Sequence, residues 1–92
     1  MIKSFKHKGL KKFFESGSTA KIDAHHAAKL RLILSDLNSA HTVGDMDSPA
    51  YKLHALKGNR KNFYSVWINE NWRVTFEFYD GNAYILSYED YH

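Results

Sequence analysis

Residues 87–92 read Ser-Tyr-Glu-Asp-Tyr-His, a run dense in groups that hold or transfer protons. Chain ends usually fray and carry little. The run is therefore either an ordinary polar terminus or the end of a strand that delivers acid–base groups to a site. Upstream, His54, Lys57, Arg60 and Arg73 add an imidazole and three cations. Along an extended chain Asp90 and His92 project to one side and Tyr91 to the other. With a turn at residues 80–82, residues 72–74 fall opposite 88–90, which brings Arg73 beside Glu89, Asp90 and Tyr91.

The chemistry open to such a set is bounded by what the chain lacks. It has no cysteine, which excludes a disulfide framework, thiol catalysis and cysteine-bound zinc. His25 and His26 are adjacent on a helix and diverge, and Asp45 and Asp47 are too sparse for a calcium loop. No glycine-rich phosphate loop is present. The expectation is a site with no metal and no cofactor, built from acid–base groups and cations. That combination suits metal-free cleavage of RNA. A base takes the proton of a ribose 2′-OH, the oxygen attacks the adjacent phosphate, an acid protonates the leaving 5′-oxygen, and cations stabilise the phosphorane. Histidine suits the acid–base roles because its ordinary pKa is about 6.5. Asp90 and the terminal carboxylate beside His92 favour its protonated form, which fits a general acid.

Each residue also has a plainer role. His54 in an alternating strand can be a surface histidine, Arg73 can pair with Glu89, and Lys57 and Arg60 can be solvated turn residues. Tyr88 and Tyr91 can pack at a sheet edge. The aromatics Phe63, Tyr64, Trp67, Trp72, Phe76 and Phe78 suit a core better than a base-stacking platform, with Trp67 the one among them to expect at the surface.

The elements that position these groups follow from periodicity. Residues 2–5 alternate and read as a short first strand. In residues 9–17, Leu10, Phe13 and Phe14 share one helical face, and Gly17 reads as the stop. Asp23 reads as the N-cap of a second helix with Ala27, Leu30, Ile33, Leu34 and Leu37 as its apolar stripe. The polar stretch 38–49, with the single proline Pro49, ends it. From Tyr51 the period becomes two: strands are expected over 51–56, 63–68, 72–79 and 83–92. Trp72, Val74, Phe76 and Phe78 lie on one face, and Arg73, Thr75, Glu77 and Tyr79 on the other. The order β-α-α-β-β-β-β with short turns predicts an antiparallel-rich sheet with two helices on one face, an α+β two-layer domain.

A chain of 92 residues suits one domain, 1–92, with one small core. The N-terminal stretch has no apolar run long enough for a signal peptide or membrane span, so a soluble cytoplasmic protein with no membrane partner is expected. The net charge is +3, but its layout is uneven. Residues 1–34 and 51–73 are rich in Lys and Arg, whereas the acids gather at 35–50 and 77–90. A basic surface beside a patch of carboxylates suits a polyanionic partner.

The stretches "YKLHALKGNR", "NENWRVTFEF" and the closing "YEDYH", in that order and spacing, together with the opening "IKSF", resemble the HigB branch of the RelE-type bacterial toxins over nearly the whole chain. The resemblance implies a compact RelE-like fold and ribosome-dependent endonucleolytic cleavage of mRNA in the decoding site. It implies a HigA-like antitoxin with a helix-turn-helix, and contact with DNA only through the toxin–antitoxin complex. The family's functional positions fall on His54, Asp90, Tyr91 and His92. Lys57 and Arg73 match basic positions that hold the phosphate, with Arg60 beside them, and Asn71 matches a polar hairpin position that touches the mRNA. In this reading His92 and Asp90 transfer protons, His54 supports them or acts as alternate base, and Tyr91 stacks on or orients a nucleotide. The chain departs from its relatives at Asn62, Phe63 and Tyr64, and at Trp67, where relatives often carry a polar or basic residue. Two other functions fit the same composition: a basic module that occupies ribosome or RNA without cutting, and a toxin-fold subunit that serves only as antitoxin partner and co-repressor.

Overall fold

The first helix begins two residues before its first apolar position. In the structure, a computed structural model that describes every residue except Asn59 and His92, helix α1 runs Lys8–Ser16. His7 caps it: Nδ1 accepts the Leu10 N–H at 3.0 Å. Leu10 and Phe13 turn inward. Phe14, expected on the same stripe, is 37% exposed and lies against Phe5 at 5.7 Å between ring centroids. It falls 100° round the helix from Phe13 and covers the N-terminal segment instead of the sheet. Gly17 ends the helix in the left-handed region, φ 77°, where its N–H reaches Phe13 O, a conformation that costs a side-chain-bearing residue more.

Asp23 caps as predicted, but it caps a short 3₁₀ turn, Ala24–His26, that leads into helix α2, Ala27–Ser39. Ala27, Leu30, Ile33, Leu34 and Leu37 are all buried, as the stripe required. A second 3₁₀ turn, Val43–Met46, follows, and the Asp45 carboxylate accepts the N–H groups of His41 and Thr42.

Four strands form one antiparallel sheet in sequential order: β1 His54–Ala55, β2 Phe63–Trp67, β3 Trp72–Tyr79 and β4 Asn82–Asp90. The register places Trp72 opposite Asp90, Arg73 opposite Glu89 and Val74 opposite Tyr88, which is the pairing read from the hairpin. Strand β1 is shorter than the expected 51–56. Strand β4 contains a bulge: Thr75 faces Ser87 while Glu77 faces Tyr84, so β4 uses one extra residue. Ile85 takes φ 47° there. The bulge resets the phase, so that Ala83 and Leu86, of opposite parity, are both fully buried.

The expected first strand at 2–5 is instead two isolated parallel bridges onto β4, Ile2 with Ala83 and Phe5 with Leu86. The bulge lies between them and interrupts a regular ladder. The Ile85 N–H, turned out by the bulge, donates to Ser4 Oγ at 2.8 Å.

The core lies between the helices and one sheet face, where Val66, Val74, Phe76, Leu86 and Tyr88 meet Leu10, Leu30, Ile33 and Leu37. The other face follows the cross-strand row His54–Ser65–Thr75–Ser87. Ser65, Thr75 and Ser87 form its floor, each at most 6% exposed, beneath longer flanking side chains.

Candidate active site

Two residues along the strands from that row, the same face carries Trp67, Arg73 and Glu89 as cross-strand partners. The Arg73 guanidinium lies 4.1 Å from the Trp67 ring centroid and 5.1 Å from that of Tyr91. Lys52 Nζ lies 4.7 Å from the Trp67 centroid. Strand β2 separates Lys52 from Arg73: the Trp67 N–H donates to Tyr51 O on one side, and Trp67 pairs with Arg73 on the other. The two cations therefore take opposite faces of the indole. The result is a row Lys52–Trp67–Arg73–Tyr91 in which cations and rings alternate. Trp67 is half-buried with both faces covered, so it acts as a spacer and offers no face to a nucleobase. Tyr91 is 44% exposed at the end of the row.

Arg73 is only 9% exposed. Its Nη1 donates to Asn69 O at 2.7 Å and to Trp72 O at 3.2 Å. Its Nε and Nη2 make no hydrogen bond among the described residues. The ion pair with Glu89 does not form, since Glu89 Oε2 instead accepts the Thr75 hydroxyl at 3.0 Å. Arg73 is thus a cation held between two rings and tied at one corner. Its unengaged N–H groups suit a phosphate oxygen.

The β2–β3 loop is organised by Asn69. Its Oδ1 accepts the N–H groups of Asn71 and Trp72 at 2.9 and 3.0 Å, an Asx turn. The Asn71 carbonyl accepts the Tyr91 N–H at 2.5 Å. The loop therefore holds both Arg73 and the segment that follows β4. Asn69 Nδ2 meets Nε2 of His26 at 3.0 Å. His26 is buried, its Nδ1 lies 2.5 Å from the Tyr88 hydroxyl, and its ring leans on Trp72. Trp72 and Tyr88 stack at 4.6 Å. Burial pushes the Tyr88 phenol up from its ordinary pKa, so it stays protonated. Tyr88, read as an edge residue, belongs to the core side of the sheet.

The hairpin brings Arg73, Asn71 and Tyr91 together as the register required. Asp90 is exposed at the same end of β4, opposite Trp72 and therefore in the alternate phase from Arg73. His54 is exposed on β1. It shares the Arg73 face but stands two strand spacings across and two residues along from it, about 12 Å. Lys57 and Arg60 are exposed beyond β1, and the Arg60 guanidinium rests 5.0 Å from the Phe63 ring centroid. His92 lies outside the described residues. No group of three or more potential metal ligands occurs among the described residues, and among them no helix is long and apolar enough to cross a membrane.

Sequence reasoning missed Asn69, His26 and Lys52. Signals existed for the first two. Asn69 stands two residues before a turn N–H, the Asx position. His26 precedes Leu30 and Ile33 by four and seven residues, which places it on the buried stripe of α2. Nothing local marks Lys52, whose role depends on Trp67 across the sheet.

A family model described as the RelE-like toxin of type II toxin–antitoxin system HigB matches residues 3–92. Endoribonuclease HigB of Proteus vulgaris is 48% identical over 92 residues, all of both chains. Among solved structures, the YoeB–YefM complex from Staphylococcus aureus gives a TM-score of 0.63 at 17% identity, with 100% of this chain and 98% of that one covered. A copper-bound mutant toxin from Helicobacter pylori gives 0.55 at 21%, covering 98% and 94%. These two likenesses concern the fold, an α+β RelE-like one.

Proposed function

Since the chain belongs to the HigB family of RelE-like toxins, we propose that it is an endoribonuclease that cleaves mRNA in the ribosomal decoding site, without metal, and stops translation. The full-length likeness to a relative named as an endoribonuclease supports the reaction class. The clamped Arg73 is the observation that carries the mechanism: a buried guanidinium fixed beside Tyr91, with Nε and Nη2 unengaged among the described residues. It holds the scissile phosphate and stabilises the charge that builds there. Asn71, Lys57 and Arg60 contact the RNA around it. Tyr91 stacks through the ring face turned away from Arg73. His92 and Asp90 transfer the protons, with His54 as support or alternate base. The ribosome aligns the 2′-OH with the phosphate, a large share of such a barrier. The exposed lysines of the N-terminal third add salt-dependent attraction to ribosomal RNA. A HigA-like antitoxin neutralises the toxin, and DNA is contacted only through that complex.

Expression of the chain alone in bacteria tests this reading. Growth arrest with loss of intact mRNA, absent for His92→Gln and reversed by the antitoxin, is the expected result. Absence of arrest with the wild type would leave a subunit that only partners an antitoxin.

A further inference from the structure

The buried histidine of the helix layer has no part in the reaction just described, yet it is bonded to the loop that holds the reacting face. The direction of its hydrogen bonds can be read from its neighbours. Asn69 Oδ1 accepts two backbone N–H groups, so its amide orientation is fixed and Nδ2 is the atom that meets His26 Nε2. An amide nitrogen only donates, so Nε2 must accept. The ring hydrogen is then on Nδ1 and donates to the Tyr88 oxygen, which also takes the Asp23 N–H.

We propose that His26 and Asn69 are a positioning pair for the RNA-cleaving face: His26, as the neutral Nδ1–H tautomer, locks the loop that presents Asn71 and anchors Arg73. The inference rests on the function proposed above for its catalytic consequence, but not for the lock itself. A second proton on His26 would set Nε2–H against the Asn69 amide hydrogens. Asn69 would then have to turn, and the turn would break the bonds to Asn71 N and Trp72 N. The carbonyl of the same residue holds Arg73 Nη1, so a loosened loop would leave the guanidinium with only the Trp72 carbonyl and its two rings. The ionisable and charged groups around the ring are Tyr88 on β4, His7 across the Tyr88 ring, Asp23 and His25 on its own turn, and Arg73 on β3 beyond Asn69.

Three variants and two readouts test this. His26→Gln can donate to Tyr88 and accept from Asn69 without titrating. His26→Leu keeps the bulk and loses both bonds. Asn69→Asp keeps the turn but sets an acceptor against Nε2. In histidine ¹⁵N spectra of the wild type at neutral pH, Nε2 should be the unprotonated nitrogen. The amides of Asn71 and Trp72 should exchange at least about tenfold faster in His26→Leu and at the wild-type rate in His26→Gln. In ribosome-programmed cleavage, His26→Leu should be slower by about tenfold or more, as small misplacements of reacting groups allow. His26→Gln should match the wild type. Nε2 found protonated at neutral pH, or loop exchange unchanged in His26→Leu, overturns the lock. Unchanged cleavage in both His26→Leu and Asn69→Asp overturns its catalytic role. If the wild type cuts no RNA, the functional reading fails, while the spectra still decide the lock.

Discussion

Removing the indole between Lys52 and Arg73 should disable the face without unfolding the protein. In Trp67→Ala, Arg73 keeps its bonds to Asn69 and Trp72 and its contact with Tyr91, but loses the closer of its two rings, at 4.1 Å. A cation–ring contact is worth about 1 kcal/mol when exposed and about 2 kcal/mol when desolvated, and Arg73 is 9% exposed. If that ordering is realised in the transition state, cleavage slows by about 5- to 30-fold. Complete loss of the cation in Arg73→Ala should cost about 10²- to 10³-fold, as for other preorganised charge-stabilising donors. Trp67→Phe, which keeps an aromatic face, should lie within about threefold of the wild type. Single-turnover cleavage of a defined mRNA on purified ribosomes measures all three. Urea unfolding of the same samples separates a loss of stability from a loss of catalysis. Full activity in a folded Trp67→Ala protein would refute the idea that Arg73 must be clamped.

Other outcomes follow from the same geometry. Arg73→Lys should lose at least about tenfold in cleavage, because a lysine cannot lie between two rings while reaching two carbonyls; kcat measured at saturating ribosome concentration reads this. Phe76→Ala should destabilise the fold by about 3–5 kcal/mol, since Phe76 is fully buried, read as a lower urea midpoint. Tyr51 donates to Asp36 at 2.5 Å, and burial first, then Asp36, raise its phenol far above the ordinary 10.0. The folded state therefore keeps this proton where the unfolded chain loses it. The contribution to stability is complete below pH 10 and declines as pH rises above it; the decline should be shallower in Tyr51→Phe, followed by urea midpoints across that range. The Asp45 carboxylate is lowered from 3.8 chiefly by the His41 and Thr42 N–H groups. Its contribution is present above that value and lost as pH falls below it, so Asp45→Asn should flatten the acid limb of the same stability profile.

Much of the fold was legible because it rests on local patterns. The α2 stripe, the Gly17 stop and the β3–β4 register each depend on spacing within one element or across one tight turn. The register alone put Arg73 beside Tyr91. What escaped was decided by neighbours distant in sequence. The bulge at Ile85 exists where the N-terminal segment docks, and residues 2–5 in turn pair with β4 as two isolated bridges and not as a continuous ladder. The fate of Arg73 was legible as a location and not as a bonding pattern. Glu89 lies opposite it, yet Thr75 takes that carboxylate and two rings take the guanidinium. Trp67 proved to be what covers Arg73. His26 read as one of two diverging helix histidines, because its partners Asn69 and Tyr88 lie 43 and 62 residues away.

The most direct test of the account maps new 5′ ends by primer extension on one defined mRNA. Wild type, Arg73→Ala and His92→Gln are compared with and without ribosomes. Cuts that require the ribosome, Arg73 and His92 together are the predicted result. Equal inhibition of translation by all three proteins, with no new 5′ ends, would contradict it and make the chain a ribosome-binding module whose polar end does no chemistry.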